Sequence, residues 1–335
     1  MRYSNLILMA FLSVLSFSAC KDDDLGPDPD PVEELTNEEK ARALQAALET
    51  GDPTPLDYLS DEQYIQHNVF LPNGKEALAG FYSGSSIGIT VDIHRSIVVG
   101  DYVILHTTFG GSWGMLSGSG SDQVVFDVWR FENGKMVEHW DNIANVTDDM
   151  DGTSQTNGTV TPASDLENTS ANQSLLEEMA QTLFVNGDWT NVSDYFNINE
   201  YVQHSVGAGT DGSFLASLEG QTGVSFYDEV KFVHVQGNFG LVMSQGGDIT
   251  GADPIGRYAY YDLFRMANGK IVEHWDIIQF IPPRELWASN SGKWGDDTNA
   301  PINIGTDITL RNTLQDPGEE EGTYASLFGL SLIHI

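Results

Sequence analysis

A long internal repeat dominates the sequence of 335 residues. The segment FDVWRFENGKMVEHWDN at 126–142 returns as YDLFRMANGKIVEHWDI at 261–277. Upstream, DYLSDEQYIQHN at 57–68 returns as DYFNINEYVQHS at 194–205. The offsets are 135 residues (126 to 261) and 137 residues (57 to 194), so the whole stretch between the two motifs is duplicated. Solenoid units have only about 20–50 residues. We therefore expect two copies of one domain, each with its own core.

Each copy begins with helices and continues with strands. In the first copy, Thr36 and Glu39 form a capping-box pattern before a helix that is predicted to end near residue 50. In the second copy, the corresponding helix is predicted over 170–186. Asn-Gly pairs at 133–134 and 268–269 predict two-residue hairpin turns. The strands predicted for the first copy are 87–96, 102–109, 124–131 and 135–143.

Helices followed by a run of antiparallel strands are typical of the α+β class. We predict two tandem cone-shaped domains, each a curved antiparallel sheet wrapped by N-terminal helices with an internal pocket. A polar stretch with few apolar residues separates the two copies and is typical of a linker. The predicted boundaries are 36–146 for the first domain, 147–169 for the linker and 170–288 for the second domain.

The first twenty residues have the features of an export signal. Arg2 supplies a short positive region, an apolar stretch follows at 6–17, and small residues lead into Cys20. This arrangement resembles the lipobox of bacterial lipoproteins, in which Cys20 would become the acylated first residue. A plain signal peptide with an incidental cysteine is the alternative. We expect residues 1–20 to be a lipoprotein signal peptide.

The segments at both ends of the chain are polar. Residues 21–35 are acidic and rich in proline, which is typical of a solvated tether. Lys21 followed by aspartates resembles the surface-export signal of Bacteroidetes lipoproteins, with an ordinary acidic linker as the alternative. Residues 289–329 form a polar tail, and 330–335 are expected to be a sequencing-adapter artefact. We expect an outer membrane lipoprotein that is exposed at the cell surface and held in the membrane by its lipid anchor.

The charge of the chain excludes several classes of partner. The formal net charge is −34, and the sequence pI is about 4.2. Nucleic acids and other polyanions are bound through Lys and Arg, so nucleic acid is not an expected partner. Anionic lipid surfaces also attract basic segments and repel acidic ones. The single cysteine leaves no disulfide framework and no thiolate metal site.

The repeated residues also resemble a known family. The hairpin with N-G-K and V-E-H-W-D, preceded by Y-x-Q-H, is similar to the SnoaL-like branch of the nuclear-transport-factor-2-like (NTF2-like) superfamily. That superfamily includes ketosteroid isomerase and scytalone dehydratase. The resemblance implies a curved sheet with a pocket, and often dimerisation through the outer face of the sheet. Two copies in one chain would then form an intramolecular pseudo-dimer. Members include cyclases, isomerases, dehydratases and pure binding modules, so the fold alone does not give the function.

Strand alternation selects the candidate site residues of the first copy. Asp127 and Trp129 share one face of their strand. In the partner strand, His139 and Asp141 share one face, and we favour that face for the pocket. His67 is expected to complete the set from the helical side.

The second copy offers an equivalent set. Asp262, His274 and Asp276 stand in the same relation, with His204 in the place of His67. The candidate catalytic residues are therefore His67, Asp127, His139, Asp141, His204, Asp262, His274 and Asp276. The predicted pocket-lining residues are Tyr64, Trp129, Tyr201 and Phe264.

The resemblance implies acid–base chemistry without a metal or another cofactor. Apolar walls raise the pKa of a buried aspartic acid towards the range useful for proton transfer. By analogy with ketosteroid isomerase, Asp127 or Asp141 would take a proton next to a carbonyl group. His67 or His139 would then stabilise the enolate. The expected function is cyclase-, isomerase- or dehydratase-like chemistry on a small, largely apolar carbonyl compound.

Other interpretations stay open at this stage. The histidines and aspartates could simply satisfy one another as buried polar groups, in a non-catalytic extracellular binding or interaction module. A purely structural surface protein would have closed pockets in both copies. The types of residue at 67, 139 and 141 also match a metal triad of two histidines and one carboxylate.

Overall fold

The computed structural model describes residues 34–85, 88–147, 153–249 and 256–295. The predicted signal peptide with Cys20 lies outside these ranges, as does the tether up to residue 33. The predicted tail beyond residue 295 and the expected artefact at 330–335 lie outside as well. The described residues form a mixed α+β structure with two five-stranded sheets. No helix among them is long and apolar enough to cross a membrane.

The first helix begins with the predicted capping box and ends near the predicted residue 50. The Thr36 hydroxyl accepts a hydrogen bond from the backbone N–H of Glu39 (3.2 Å), and the Thr36 N–H donates to the Glu39 carboxylate (2.7 Å). The helix ends at Gly51, whose φ of 70° is left-handed. The α-helices of the first half are α1 (Asn37–Thr50), α2 (Lys75–Ser85) and α3 (Trp113–Leu116), with a 3₁₀-helix at Thr54–Tyr58.

The first sheet has the order β1-β5-β4-β3-β2. Its strands are β1 (Ile65–Gln66), β2 (Ile89–Val99), β3 (Tyr102–Gly111), β4 (Gln123–Glu132) and β5 (Lys135–Asn145). The strand β1 pairs with β5 in parallel, and all other pairs are antiparallel. Asn133 and Gly134 turn the chain between β4 and β5 with φ angles of 50° and 72°. Positive φ at both central residues is the geometry of a type I′ hairpin turn, as predicted.

The second half repeats this topology with the order β6-β10-β9-β8-β7. The helix predicted over 170–186 is present with nearly that extent. It consists of α4 (Thr169–Met179) followed directly by a π-helical turn at Ala180–Val185. The remaining helices are α5 (Ser213–Leu218) and 3₁₀-helices at Leu166–Asn168, Val192–Asp194 and Arg284–Leu286. The strands are β6 (Val202–Gln203), β7 (Glu229–Gln236), β8 (Phe239–Gly246), β9 (Arg257–Ala267) and β10 (Lys270–Ile281).

Apolar side chains pack on both faces of each sheet, since alternate residues of a strand enter different cores. In the first sheet, Trp129 packs with α1 residues such as Leu44. The neighbouring Val128 and Trp140 point the other way and join a core that also contains residues of the second sheet. This shared core includes Phe126, Leu241, Tyr261, Leu263 and Trp275. Asn142 reinforces the contact by donating its side-chain N–H groups to the carbonyls of Ala259 (2.9 Å) and Ile277 (2.8 Å).

Two segments outside the predicted domains pack against the sheets. The first strap, residues 153–159, precedes the second domain and contacts the second sheet through His204. The second strap, residues 289–295, follows the second domain and contacts the first sheet through His67. They belong to the stretches that were predicted as a linker and a polar tail.

Candidate functional site

The hairpin of β4 and β5 brings two carboxylates into one place. In its register Asp127 lies opposite Asp141, and Trp129 lies opposite His139. All four side chains point to the helix side of the sheet, and both aspartates are nearly buried (6% and 4% exposed). Like charges directly opposite each other destabilise a sheet. The pair therefore needs a proton or a cation nearby to be tolerated in the interior.

His139 supplies that proton through a fixed hydrogen-bond chain. Its Nε2 lies 2.8 Å from Asp127 Oδ1, and its Nδ1 lies 3.0 Å from Gln66 Oε1. Gln66 Oε1 also accepts from the backbone N–H of Asn68 (2.8 Å), so the atom facing His139 is an acceptor. The His139 Nδ1 must therefore carry a hydrogen and donate. An unprotonated Nε2 and an ionised carboxylate are both acceptors and cannot form a hydrogen bond with each other. Either His139 Nε2 or Asp127 must therefore carry a hydrogen, so one proton lies between them.

The second half contains the same chain of bonds. His274 Nε2 lies 3.0 Å from Asp262 Oδ1, and His274 Nδ1 lies 2.7 Å from Gln203 Oε1. Gln203 Oε1 accepts from the backbone N–H of Ser205 (3.1 Å). The same reasoning about donors places one proton in the His274–Asp262 bond. We refer to His139–Asp127 and His274–Asp262 as the two dyads.

The remaining oxygen of each dyad aspartate is bound differently in the two halves. Asp127 Oδ2 accepts from the Gln45 amide, whose own oxygen accepts from the Thr107 hydroxyl (2.7 Å). Asp262 Oδ2 instead accepts from the Tyr227 hydroxyl (2.6 Å). Burial raises the pKa of Asp127, and the hydrogen bond from His139 opposes this effect. The proton in the first dyad is thus held in a site that disfavours charge.

A second carboxylate lies beside each dyad. Asn68 donates to Asp141 Oδ2 (2.7 Å), whereas the buried Asp141 Oδ1 has no hydrogen-bond partner among the described residues. Ser205 donates its hydroxyl to Asp276 Oδ2 (2.6 Å). Burial raises the pKa of Asp276 to about 6. Each site therefore combines a stored proton with a neighbouring carboxylate that can accept one.

The predicted pocket-lining residues surround the dyads. Trp129 stacks on His139 with ring centroids 3.8 Å apart, and Phe264 stacks on His274 at 4.6 Å. Tyr64 and Tyr201 are buried, and burial raises the pKa of each phenol well above its usual range. Both phenols therefore stay protonated. Aromatic side chains therefore pack around both dyads.

The structure places His67 and His204 away from these sites. Gln66 lies opposite His139 in the parallel pairing of β1 with β5 and faces the helices. Side chains alternate along the strand direction, so His67 turns to the opposite face of the sheet. There its Nε2 lies 2.9 Å from Glu138 Oε1, and its ring stacks on Trp140 at 4.6 Å.

His204 has the same arrangement in the second half. Its Nε2 lies 3.2 Å from Glu273 Oε1, and its ring stacks on Trp275 at 4.8 Å. The expectation that His67 and His204 complete the two sets from the helical side is therefore corrected by the geometry. The structure brings together Asp127, His139 and Asp141, and separately Asp262, His274 and Asp276.

Several residues of the sites were not among the sequence-based candidates. Gln66 and Gln203 orient the dyad histidines, and both belong to the repeated Tyr-x-Gln-His motif, which was the available signal. Gln45 and Tyr227 contact the dyad aspartates from different positions in the two copies, so the repeat does not identify them.

Lys293 also lies close to the first site. Its ammonium contacts the backbone carbonyl of Asp141 and lies 3.3 Å from Gln279 Oε1. Burial lowers the pKa of Lys293 to about 8, although Asp141 opposes this shift. A cavity of about 10 Å³ lies between Asp141, Lys293 and the segment from Asn68 to Phe70. That volume is about the size needed for one water molecule.

The same side chains have the right types for a metal site. Asp127, His139 and Asp141 each offer a ligand atom, and these atoms lie within 4.8 Å of one another. The corresponding set in the second half is Asp262, His274 and Asp276. Gln66 would orient the His139 ring, as acceptors behind metal-binding histidines do. A cation at this position would replace the shared proton, so the two occupants exclude each other.

Comparison with known proteins identifies the fold of the first half. Residues 41–139 match the SnoaL-like domain family. The chain therefore contains a SnoaL-like, NTF2-like domain that comprises α1 and most of the first sheet. The SnoaL-like and NTF2-like group includes polyketide cyclases and epoxide hydrolases. The match ends at residue 139, before the second copy of the repeat. None of the curated proteins matches the chain.

Solved structures resemble about a third of the chain. TsrD from Streptomyces laurentii has 24% identity and a TM-score of 0.28, covering 31% of this chain and 85% of that chain. A putative polyketide cyclase from Bacillus cereus has 23% identity and a TM-score of 0.27, covering 31% and 71%. An epoxide hydrolase from M. tuberculosis, described as LEH-like, has 19% identity and a TM-score of 0.28, covering 32% and 82%.

Proposed function

We propose that the chain carries two tandem SnoaL-like domains whose dyads perform metal-free acid–base catalysis on a small, largely apolar carbonyl compound. The observation that carries this proposal is the histidine–aspartate hydrogen bond of each dyad, which lies beside a second carboxylate. A proton donor and a proton acceptor are the two groups that an isomerase, cyclase or dehydratase reaction requires. The same arrangement occurs in both halves, although the supporting residues differ.

The proposed reaction uses each group in a defined role. Asp141 Oδ1 takes a proton from the carbon next to the carbonyl, and the electron pair moves to the carbonyl oxygen. The His139–Asp127 dyad gives its proton to that oxygen, so a neutral enol forms. In the second step, Asp141 gives its proton to a different carbon of the enol. The enol hydroxyl then returns its proton to the dyad, and the carbonyl group forms again. Positioned acid–base groups of this kind contribute about 10²–10⁴-fold in rate.

The second site would use the same roles with a different balance of acidity. A pKa of about 6 leaves Asp276 largely ionised at neutral pH, so it can act as the base. The Tyr227 hydroxyl donates to Asp262 Oδ2, in the place of the Gln45 amide at the first site. The walls of both sites are aromatic, which favours a flat, apolar substrate.

A substrate can enter only if the covering side chains move. A pocket for a drug-sized ligand has about 300–1,000 Å³, whereas the cavity beside Asp141 has about 10 Å³. This small volume favours the second candidate function, a non-catalytic interaction module or a structural surface protein. In that case the dyads would only satisfy buried polar groups and hold the hairpin in place.

We further propose that the protein is an outer membrane lipoprotein, exposed at the cell surface and anchored through acylated Cys20. The support for this is the apolar stretch ending in Cys20 and the acidic tether behind it. The high negative charge suits a solvated exterior and disfavours nucleic acid as a partner. The face-to-face packing of the two sheets supports an intramolecular pseudo-dimer.

The catalytic proposal is tested by proton exchange in the full chain. Cyclic ketones, steroid enones and aromatic polyketide-like ketones are incubated with the protein in D₂O, and deuterium at the carbon next to the carbonyl is measured. We expect protein-dependent exchange that falls at least 100-fold in the Asp127→Asn/Asp262→Asn double variant. The exposed Glu132→Gln change is the matched control and should leave the exchange unaltered.

The same probes are also tested for binding by thermal shift. Exchange that persists in the double variant would contradict the assigned roles. Stabilisation by a probe without any exchange would support the binding module instead, because a ligand that binds only the native state stabilises it.

A further inference from the structure

Two repeated side-chain sets on the outer faces of the sheets have no role in the proposed chemistry. The first consists of His67, Glu138 and Trp140, and the second of His204, Glu273 and Trp275; we call them the outer-face triads. We propose that each triad is a binding site for a peptide segment with a left-handed glycine, and that each holds the strap that follows the opposite domain.

The second triad binds the first strap entirely through backbone groups. His204 Nδ1 donates to the carbonyl of Ser154 (2.8 Å), and the Trp275 indole donates to the carbonyl of Asn157 (2.8 Å). Glu273 Oε1 accepts from the backbone N–H of Thr159 (3.0 Å). All three members of the triad therefore recognise main-chain groups of the strap.

One position of the first strap is restricted to glycine. Gly158 has a φ of 95°, which a residue with a side chain rarely adopts. A Cβ atom at this position would lie 2.8 Å from His204 Nε2 and 2.9 Å from a ring carbon of Trp275. It would also collide with the Glu273 carboxylate. The site therefore selects glycine at this position of the bound segment.

The triad is held rigid by a neighbouring ion pair. Arg265 Nε lies 2.6 Å from Glu273 Oε2, which leaves Oε1 for the strap and for His204. Burial alone would raise the pKa of the Glu273 carboxyl, but its hydrogen bonds outweigh this effect and lower the pKa to about 2. Glu273 therefore remains an anionic acceptor for the strap at ordinary pH.

The first triad binds the second strap in a related way. His67 Nδ1 lies 2.6 Å from the carbonyl of Gly292, and Arg130 Nε lies 2.6 Å from Glu138 Oε2. Gly295 has a φ of 84°, and a Cβ there would lie 3.2 Å from the His67 ring. The straps share the spacing Ser-x-x-x-Gly, at 154–158 and at 291–295. Both triads therefore contact a segment with a left-handed glycine.

The crossed arrangement ties the two domains together. Arg95 of the first sheet lies over the Trp275 ring (4.1 Å) and donates to the strap carbonyls of Thr156 (2.9 Å) and Thr159 (2.7 Å). The first strap is therefore held from both domains at once. In the second strap, the buried Trp294 joins the core between the two sheets. The outer-face triad of each domain is therefore covered by the strap that follows the other domain.

The two triads differ in the bond that the tryptophan makes, and this difference provides a matched pair of variants. Trp275 Nε1 donates to the first strap, whereas Trp140 Nε1 has no hydrogen-bond partner in the described part of the chain. Replacing either tryptophan with phenylalanine keeps an aromatic ring and removes the indole N–H. Only the Trp275→Phe change should therefore loosen a strap.

Hydrogen–deuterium exchange of the full chain tests the proposal. In Trp275→Phe we expect exchange within 153–159 to rise about fivefold, as the loss of one hydrogen bond implies. Exchange within 289–295 should stay unchanged, and Trp140→Phe should alter neither strap. His67→Ala should raise exchange in 289–295 at least tenfold without affecting 153–159. The proposal would be overturned if every variant loosened both straps, or if no variant loosened either strap.

Binding in trans tests recognition of the peptide itself. The Gly158→Val change should release the first strap, and a synthetic peptide of residues 153–161 should then raise the melting temperature of that variant. A peptide carrying the same valine should have no effect. The decisive case is a Gly158→Val chain whose first strap has lost its protection from exchange. If the glycine peptide does not stabilise this chain, the proposal is contradicted. If the variant does not fold, the Trp275→Phe exchange experiment decides alone.

Discussion

Asp276 should make the protein less stable as the pH rises, and Asp276→Asn should remove that effect. Its carboxyl has a pKa of 3.8 when unperturbed and about 6 in the fold. Between these values the folded state binds more protons than the unfolded state, so stability is lost as the pH rises through this window. Each pH unit costs about 1.4 kcal/mol, which gives about 3 kcal/mol in total. Because the side chain is partly exposed, screening reduces the expected effect to about 1–3 kcal/mol.

Asparagine is a close mimic of the protonated carboxyl. It has the same shape, and its side-chain oxygen can accept the hydrogen bond that Ser205 donates to Asp276. The variant should therefore match the parent near pH 4 and exceed its stability at pH 8. Such a gain would also indicate a functional site, since residues kept for chemistry often reduce stability.

Urea unfolding of the full chain at pH values between 4 and 8 provides the measurement. The free energy of unfolding of Asp276→Asn should exceed that of the parent by about 1–3 kcal/mol at pH 8, with the gap closing towards pH 4. The exposed Asp101→Asn change is the matched control and should follow the parent at every pH. A difference that does not depend on pH, or a variant that is less stable at pH 8, would refute the assignment.

Three further changes test the packing. Trp140→Ala should lower the free energy of unfolding by about 3–5 kcal/mol, since this ring fills the core between the sheets; a loss below 1 kcal/mol would contradict that placement. Thr36→Ala should cost about 1 kcal/mol by removing the cap of α1, with faster amide exchange confined to the first turn. Arg95→Met should lower the melting temperature and raise exchange in 153–159, because it leaves strap carbonyls without a donor; unchanged exchange there would refute the role of Arg95.

The features that could be predicted from sequence are those set by local chemistry. The capping box at Thr36 and Glu39 and the turn at Asn133 and Gly134 depend only on neighbouring residues. Strand alternation correctly put His139 and Asp141 on one face together. The repeat then predicted the same local features in the second half, where Asn268 and Gly269 turn the last hairpin.

The features that could not be predicted depend on pairing between distant segments. The two-residue strand β1 decides that Gln66 faces the dyad and His67 faces away, and a shift by one residue would reverse this. Nothing in the local pattern specifies that register. The straps were predicted as linker and tail because they are polar. Their packing depends instead on main-chain groups that meet Arg95 and the outer-face triads, which composition does not reveal.

NMR of the full chain with ¹⁵N-labelled histidine would detect the shared proton of each dyad. We expect a hydrogen on Nδ1 of both His139 and His274, and a strongly downfield, slowly exchanging proton in each bond from Nε2 to aspartate. Asp127→Asn should remove that proton from His139 and leave His274 unaltered. A spectrum in which His139 is singly protonated and unaffected by Asp127→Asn would contradict the assignment of a shared proton.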